Sequence, residues 1–403
     1  MNNKLRNRLL ALVCLLVFLG GGIALYYSNW LIQKPFGIVL FISDGLTSST
    51  LTASRLYEGG ADHRLSLESL PHLALLSTYA HDYAVPDDAS AATALATGQK
   101  VNRHALSMDI NNTPLPSLAD LAHARGRSVG LITNSYLISP GLAAFFAKTS
   151  SSLDSSSIAA QLVDQPVADV FLGGGAGDFL PLDSNGRRKD GRDLFWEMRQ
   201  NGYEIIRTRS ELENTPLWRT PKVFGVFAMD EMAFPDEVQS RAGQPTLAEM
   251  VRQAIQLLQY NRKGYLLVVD SSLMDSAARR NEGERMLRCM GELDKAVATA
   301  LQYAGDTALI VVTAKQAIGG LRLNGYPFRR DKGVSLIGTN TQGIPSLTWS
   351  TGPGATDGPS SWPASSALGV AEDVLALGSG PGSETLSGLQ DNTVVFKILE
   401  SKL

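Results

Sequence analysis

The chain has 403 residues, 44% of them hydrophobic and 19% charged, with a formal net charge of -3 and a pI near 6.0. This balance excludes a disordered or collagen-like chain and lacks the basic excess of a nucleic-acid binder, so no nucleic-acid partner is expected. Two cysteines, Cys14 and Cys289, are too few for a disulfide framework or a cysteine-built zinc site, and the five histidines end at His123.

In chain order, Lys4, Arg6 and Arg8 precede an uncharged apolar run from Leu9 to Tyr27, about the length a helix needs to cross a bilayer. The positive flank predicts that residues 1–8 stay in the cytoplasm and that the chain beyond the apolar run is exported. A cleaved signal peptide is the competing reading, but no clear small-x-small site precedes Tyr26 and Tyr27. A lipoprotein is disfavoured because Val13 precedes Cys14. Residues 9–27 are therefore expected to be a single-pass, uncleaved signal-anchor in the cell membrane. Residues 35–403 are expected to form one large domain on the periplasmic or extracellular side.

From Pro35 onward, apolar runs bounded by turn residues alternate with amphipathic segments: FGIVLFISDG, then SLADLAHARGRSVGLITNS, then VADVFLGGG, and later LAEMVRQAIQLLQYNRKGYLLVVDSS and LDKAVATALQYAGDTALIVVTAK. The alternation predicts an α/β, three-layer αβα sandwich with a mostly parallel central sheet. Runs this apolar belong to strands buried on both faces. Ligands of such sheets bind outside the carboxyl ends of the strands, which gathers Asp44, Ser135, Asp270 and Lys315 into one neighbourhood. From Gly352 to Gly382, Gly, Pro and Ser predict a long loop with little regular structure.

The segment VPDDASAATALATGQK places Asp87 and Asp88 at the head of an Ala-rich helix. Read alone it is an Asp N-cap, favoured by free amides and the helix dipole. With its surroundings it resembles the nucleophile motif of the alkaline phosphatases, Asp-Ser-Ala continuing to Ala-Thr-Ala-x-x-Thr-Gly. Thr93, Ala94, Thr97, Gly98 and Lys100 match that pattern. FISDGLTSSTLTASR, GGGAGDFLP, KDGRDL, VFGVFAMDEM and QPTLAEMVRQAI resemble further family signatures in family order. The resemblance runs from about Pro35 to the C-terminus and implies the alkaline-phosphatase fold.

It also implies a chemistry: an oxygen nucleophile against two zinc ions about four ångströms apart, with magnesium at a third, oxygen-lined site. Position by position, this chain departs from it. Asp88 stands at the nucleophilic serine, which would make any intermediate an acyl phosphate. In VVDSSLMDSAARRN, Asp270 falls on the family's Glu, Asp275 on its Asp and Arg279 on its His. In TAKQA, Lys315 and Gln316 fall on an Asp and a His ligand. The last histidine's place offers only Thr339 to Thr341, and Ser152 stands nearest the arginine that forks onto substrate phosphate.

Asp44, Ser139 and Asp270 match the magnesium side chains, so one magnesium or calcium ion held there, with Asp88 nearby, is one expectation, and zinc is disfavoured. The other is a salt-bridge network in which Arg279 and Lys315 stand in for the two zinc ions among Asp44, Asp88, Asp270 and Asp275. The two can coexist. His63, His72, His81 and His104 are read as lying in connections and His123 on an amphipathic helix, none as a ligand; GGGAG is read as structural and Cys289 as a packed small hydrophobe. The resulting expectation is a membrane-anchored pseudophosphatase with a binding or regulatory role and an unknown ligand. Its alternative is an active phosphoric monoester hydrolase with altered metal dependence. The resemblance also implies a homodimer.

Overall fold

The structure is a computed structural model that describes residues 3–30, 34–217, 222–237, 239–324, 346–353, 355 and 365–403. Two units are distinguished, Met1–Pro35 and Phe36–Leu403. The first carries one helix, Asn3–Trp30. Its Lys4–Ile23 stretch, mean hydropathy 1.6, is long and apolar enough to cross a membrane. Leu12, Val17 and Phe18 are exposed on it, an arrangement that costs free energy in water and none in hydrocarbon.

The second unit is built on a ten-stranded sheet. Its strands lie in the order Ser387–Asp391, His72–Ser77, Val374–Ser379, Leu309–Ala314, Gly37–Ser43, Tyr265–Ser271, Ser128–Tyr136, Val170–Gly174, Lys222–Val226 and Tyr203–Ile206. Only Val374–Ser379 runs antiparallel to its neighbours, so the sheet is mostly parallel, with helices around it. Every residue of Gly37–Ser43 and of Tyr265–Ser271 is buried. Apolar side chains on both faces are what a strand covered from two sides requires, each Val, Leu or Ile contributing about 1.5–3 kcal/mol on burial. The amphipathic helix Gly283–Ala304 packs on Leu247–Leu258, while Asp88–Thr97 packs on Thr393–Glu400.

Two sequence expectations are corrected here. The Gly/Pro/Ser-rich run from Gly352 to Gly382 contains the buried sheet strand Val374–Ser379; a short apolar core in a turn-rich context carries too little periodicity to reveal pairing with distant strands. His72 opens a strand of the sheet and does not lie in a connection.

Register sets the site. Ile42 pairs with Asp270 and Ser43 with Ser271 on one side, and Ser43 pairs with Ala314 on the other. The next residues along, Asp44 and Lys315, therefore leave adjacent strand ends together. The Lys315 amide donates to the Ser43 carbonyl (3.0 Å) and the Gly45 amide to the Gln316 carbonyl (2.8 Å).

Candidate functional site

Asp44 and Asp270 are fully buried and Lys315 is 2% exposed. The Lys315 ammonium lies between the two carboxylates, with Nζ 2.7 Å from Asp44 Oδ2 and 3.4 Å from Asp270 Oδ1, and it donates to Ser272 Oγ at 3.1 Å. Burial alone would discharge this lysine, but Asp270 and Asp44 outweigh it and hold its pKa above the ordinary lysine value. Asp270 Oδ2 accepts from three hydroxyls, Ser272 at 2.7 Å, Ser139 at 3.1 Å and Thr133 at 3.3 Å. Ser139 precedes the short helix Pro140–Ala143. Gly141 lies so close that a Cβ there would meet Asp270 Oδ1 at 2.4 Å, so no side chain fits without moving the carboxylate.

A second cation sits one layer out. Asp275 and Arg279 are one turn apart on the helix Leu273–Arg279, a spacing that stacks side chains on one helix face. Arg279 Nε donates to Asp275 Oδ2 at 2.7 Å, and its Nη2 donates to both oxygens of Asp88, at 3.2 and 3.0 Å. Gln316 Nε2 also donates to Asp88 Oδ1. Burial lowers and the Asp275 and Asp88 carboxylates raise the Arg279 pKa, with a net rise. Burial pushes Asp44 well above the usual carboxylate range against the pull of Lys315.

Burial, and then the neighbouring Asp88, lift Asp275 from 3.8 to about 6 against the pull of Arg279 and Lys315. An acid with a higher pKa folded than unfolded binds more protons in the folded state between those two values. Its contribution therefore falls as pH rises from about 4 to about 6, by up to about 3 kcal/mol. Denaturant midpoints taken across that window are expected to decline toward pH 6, and Asp275→Asn to flatten the decline. An unchanged slope in the variant would assign it to other groups.

Asp87 and Asp88 divide the labour at the head of the helix Asp88–Thr97. Asp87 is the N-cap: its Oδ1 accepts the Ser90 amide at 3.0 Å, and its Oδ2 accepts the His104 amide at 2.8 Å and lies 3.0 Å from His104 Nδ1. Asp88 is left to face Arg279. Asp87→Ala removes the cap and the anchor of the 103–104 turn together, with an expected loss of about 1–2 kcal/mol by urea titration. Ser152 does not reach the network; its amide donates to the His104 carbonyl at 2.8 Å on the rim of the same cleft. Thr339 to Thr341 lie outside the described residues.

Asp44, Asp88, Ser139, Asp270, Asp275, Arg279, Lys315 and Gln316 thus meet at the strand ends, with Ser152 at the rim. Ser135, expected just past a strand, lies within Ser128–Tyr136, its amide donating to Thr133 Oγ1 at 3.0 Å. Thr133, Ser272 and Gly141 around Asp270, and Arg103 and His104 at the cleft, were not anticipated as site residues. Ser272, two residues past Asp270, had a local signal; the others meet the site only through tertiary contact. Cys289 is buried, as expected, and burial raises its thiol pKa. His123 lies on the helix Leu118–Ala124, and GGGAG ends a strand and enters a 3₁₀ turn, a structural role.

A family model described as alkaline phosphatase matches residues 37–343. The chain belongs to the alkaline phosphatase family. It is 30% identical over 340 residues to the alkaline phosphatase of Escherichia coli, covering 71% of each chain. It is 28% identical over 299 residues to alkaline phosphatase 4 of Bacillus subtilis, covering 71% of this chain and 62% of that protein's length. The solved alkaline phosphatase of the Antarctic bacterium TAB5 superposes with a TM-score of 0.75 over 92% of this chain and 98% of its own, at 21% identity; it supports the alkaline-phosphatase fold.

Members of the alkaline phosphatase family use metal ions, so the fit of this site to them is a matter of its donors. Two zinc ions do not fit: no histidine follows His123, and the Arg279 guanidinium and Lys315 ammonium stand among the carboxylates. The Asp44–Ser139–Asp270 set is spanned by Lys315. One group of oxygens does come together: ligand atoms of Asp44, Asp88 and Asp275 lie within 4.8 Å of one another.

Proposed function

We propose that this chain is a membrane-anchored, exported alkaline-phosphatase-like protein that has given up two-zinc phosphoryl transfer and uses its cleft for binding or regulation. The observation that carries the reading is the pair of internal cations. Lys315 between Asp44 and Asp270, and Arg279 between Asp275 and Asp88, supply in fixed positions the charge that metal ions would supply. A fixed ammonium has no open coordination position and cannot polarise a bound oxygen as a metal does. Asp88 is tied up by Arg279 and Gln316, so it is not poised as a nucleophile. Elemental analysis for zinc together with p-nitrophenyl phosphate turnover tests the reading. Anchoring through residues 9–27, with the domain outside the cytoplasm, and a homodimer belong to the same proposal. Resistance of the full-length chain to alkaline extraction from membranes tests the anchor.

A second reading rests on the Asp44, Asp88 and Asp275 oxygens. Their close approach would suit one hard cation such as magnesium or calcium, and Asp88 would then remain as the reacting carboxylate of an altered hydrolase. Its test is a magnesium- or calcium-dependent esterase activity that Asp88→Asn abolishes.

A further inference from the structure

The cleft onto which Asp88 opens encloses about 530 Å³ and is chemically lopsided. At its inner end the Arg279 guanidinium is already committed to Asp275 and Asp88, and the buried groups left unsatisfied are acceptors. Gln316 Oε1 is buried with no donor, since Nε2 of the same amide is committed to Asp88; turning the amide over would set its oxygen against the carboxylate. Behind it, Asp275 Oδ1 and Asp44 Oδ1 lack donors too. At the rim the unsatisfied group is a donor: Arg103 Nε is buried without an acceptor, and its guanidinium is held 5.2 Å from the centre of the Tyr83 ring. Among the described residues no carboxylate pairs with that guanidinium.

His104 follows with φ +68, a left-handed conformation that a residue with a Cβ adopts at a cost. Asp87 holds it there by taking both its amide and its Nδ1, which leaves Nε2 as the ring's remaining polar atom on the cleft. The Ser152 loop, bonded to the His104 carbonyl, brings no charge to this wall; the positive charge at the rim comes from Arg103.

A lone oxyanion would satisfy Arg103 but would leave the inner acceptors bare and lie against Asp88. A lone amine would do the reverse. Each unmet buried group is costly, so a ligand meeting only one end forgoes much of the available binding energy. We propose that the cleft binds a small zwitterion, its oxyanion on Arg103 at the rim and its ammonium donating to Gln316 Oε1 and Asp88 within. The proposal rests on reading this cleft as a site that binds without hydrolysing.

Full-length protein in detergent, treated with EDTA, is titrated by calorimetry with 2-aminoethylphosphonate, ethylphosphonate and ethylamine. The zwitterion is expected to bind at least about fivefold more tightly than either half-molecule. Arg103→Gln is expected to weaken it by at least about fivefold at unchanged Tm, and Arg103→Lys, which keeps the charge, by less than Arg103→Gln. A smaller margin in either comparison, or no heat from any of the three at about 10 mM, overturns the proposal. The phosphonate has no ester to cleave, so p-nitrophenyl phosphate turnover and zinc content report separately on the loss of hydrolysis. Turnover by the parent protein would sink that reading while leaving the dependence on Arg103 to be judged by its own result.

Discussion

Full-length protein purified in detergent is expected to carry no stoichiometric zinc and to release no p-nitrophenol above a blank, even after incubation with excess zinc. A metal clamp on the transferring oxygens and the activation of the nucleophile are each worth several kcal/mol, and every 1.36 kcal/mol is tenfold in rate. Their joint loss sets turnover at least about 10⁴-fold below that of a zinc-loaded family member. Asp88→Ser restores the family's nucleophile and is still expected to be inactive. Arg279, Lys315 and Gln316 would continue to occupy the ligand positions, and no arginine would stand at Ser152. Two zinc ions per chain, or robust zinc-dependent turnover in Asp88→Ser, would overturn the proposed function.

The largest effect on stability is expected at Lys315. Lys315→Met leaves Asp44 and Asp270 facing each other, fully buried, with no cation between them. Removing one partner of a buried ion pair costs on the order of 3–5 kcal/mol, because the remaining charge must be buried unpaired or protonated. A fall in Tm of roughly 4–7 °C is the expected calorimetric reading for a domain of this size. Combining Lys315→Met with Asp44→Asn and Asp270→Asn is expected to recover most of the loss, since the charges leave together. Magnesium is expected to raise the Tm of Lys315→Met but not of the parent, because the vacated space among Asp44, Ser139 and Asp270 is lined by hard oxygen donors. If Lys315→Met is as stable as the parent, the ammonium is not what holds these carboxylates together.

Much of this site was legible in the sequence, for identifiable reasons. Asp44, Asp270 and Lys315 follow or end apolar runs that could only be buried strands, and ligands gather where such strands end. Asp275 and Arg279, four apart, had to share a helix face. The strand Val374–Ser379 and the start of a strand at His72 were not legible, since pairing partners far along the chain leave no local trace in a short run.

Composition and motif order by themselves determined the family, the mostly parallel α/β sheet, the apolar N-terminal helix and the absence of histidine ligands after residue 123. Those properties depend on residue type and local periodicity, which a linear string carries completely. Only the tertiary structure decided which cation serves which carboxylates: Lys315 spans Asp44 and Asp270, and Arg279 spans Asp275 and Asp88. It alone brought Arg103 and His104 to the mouth of the cleft. Such pairings depend on strand register and on contacts between distant segments, and a charge's partner is set by a few ångströms of distance that no spacing along the chain specifies.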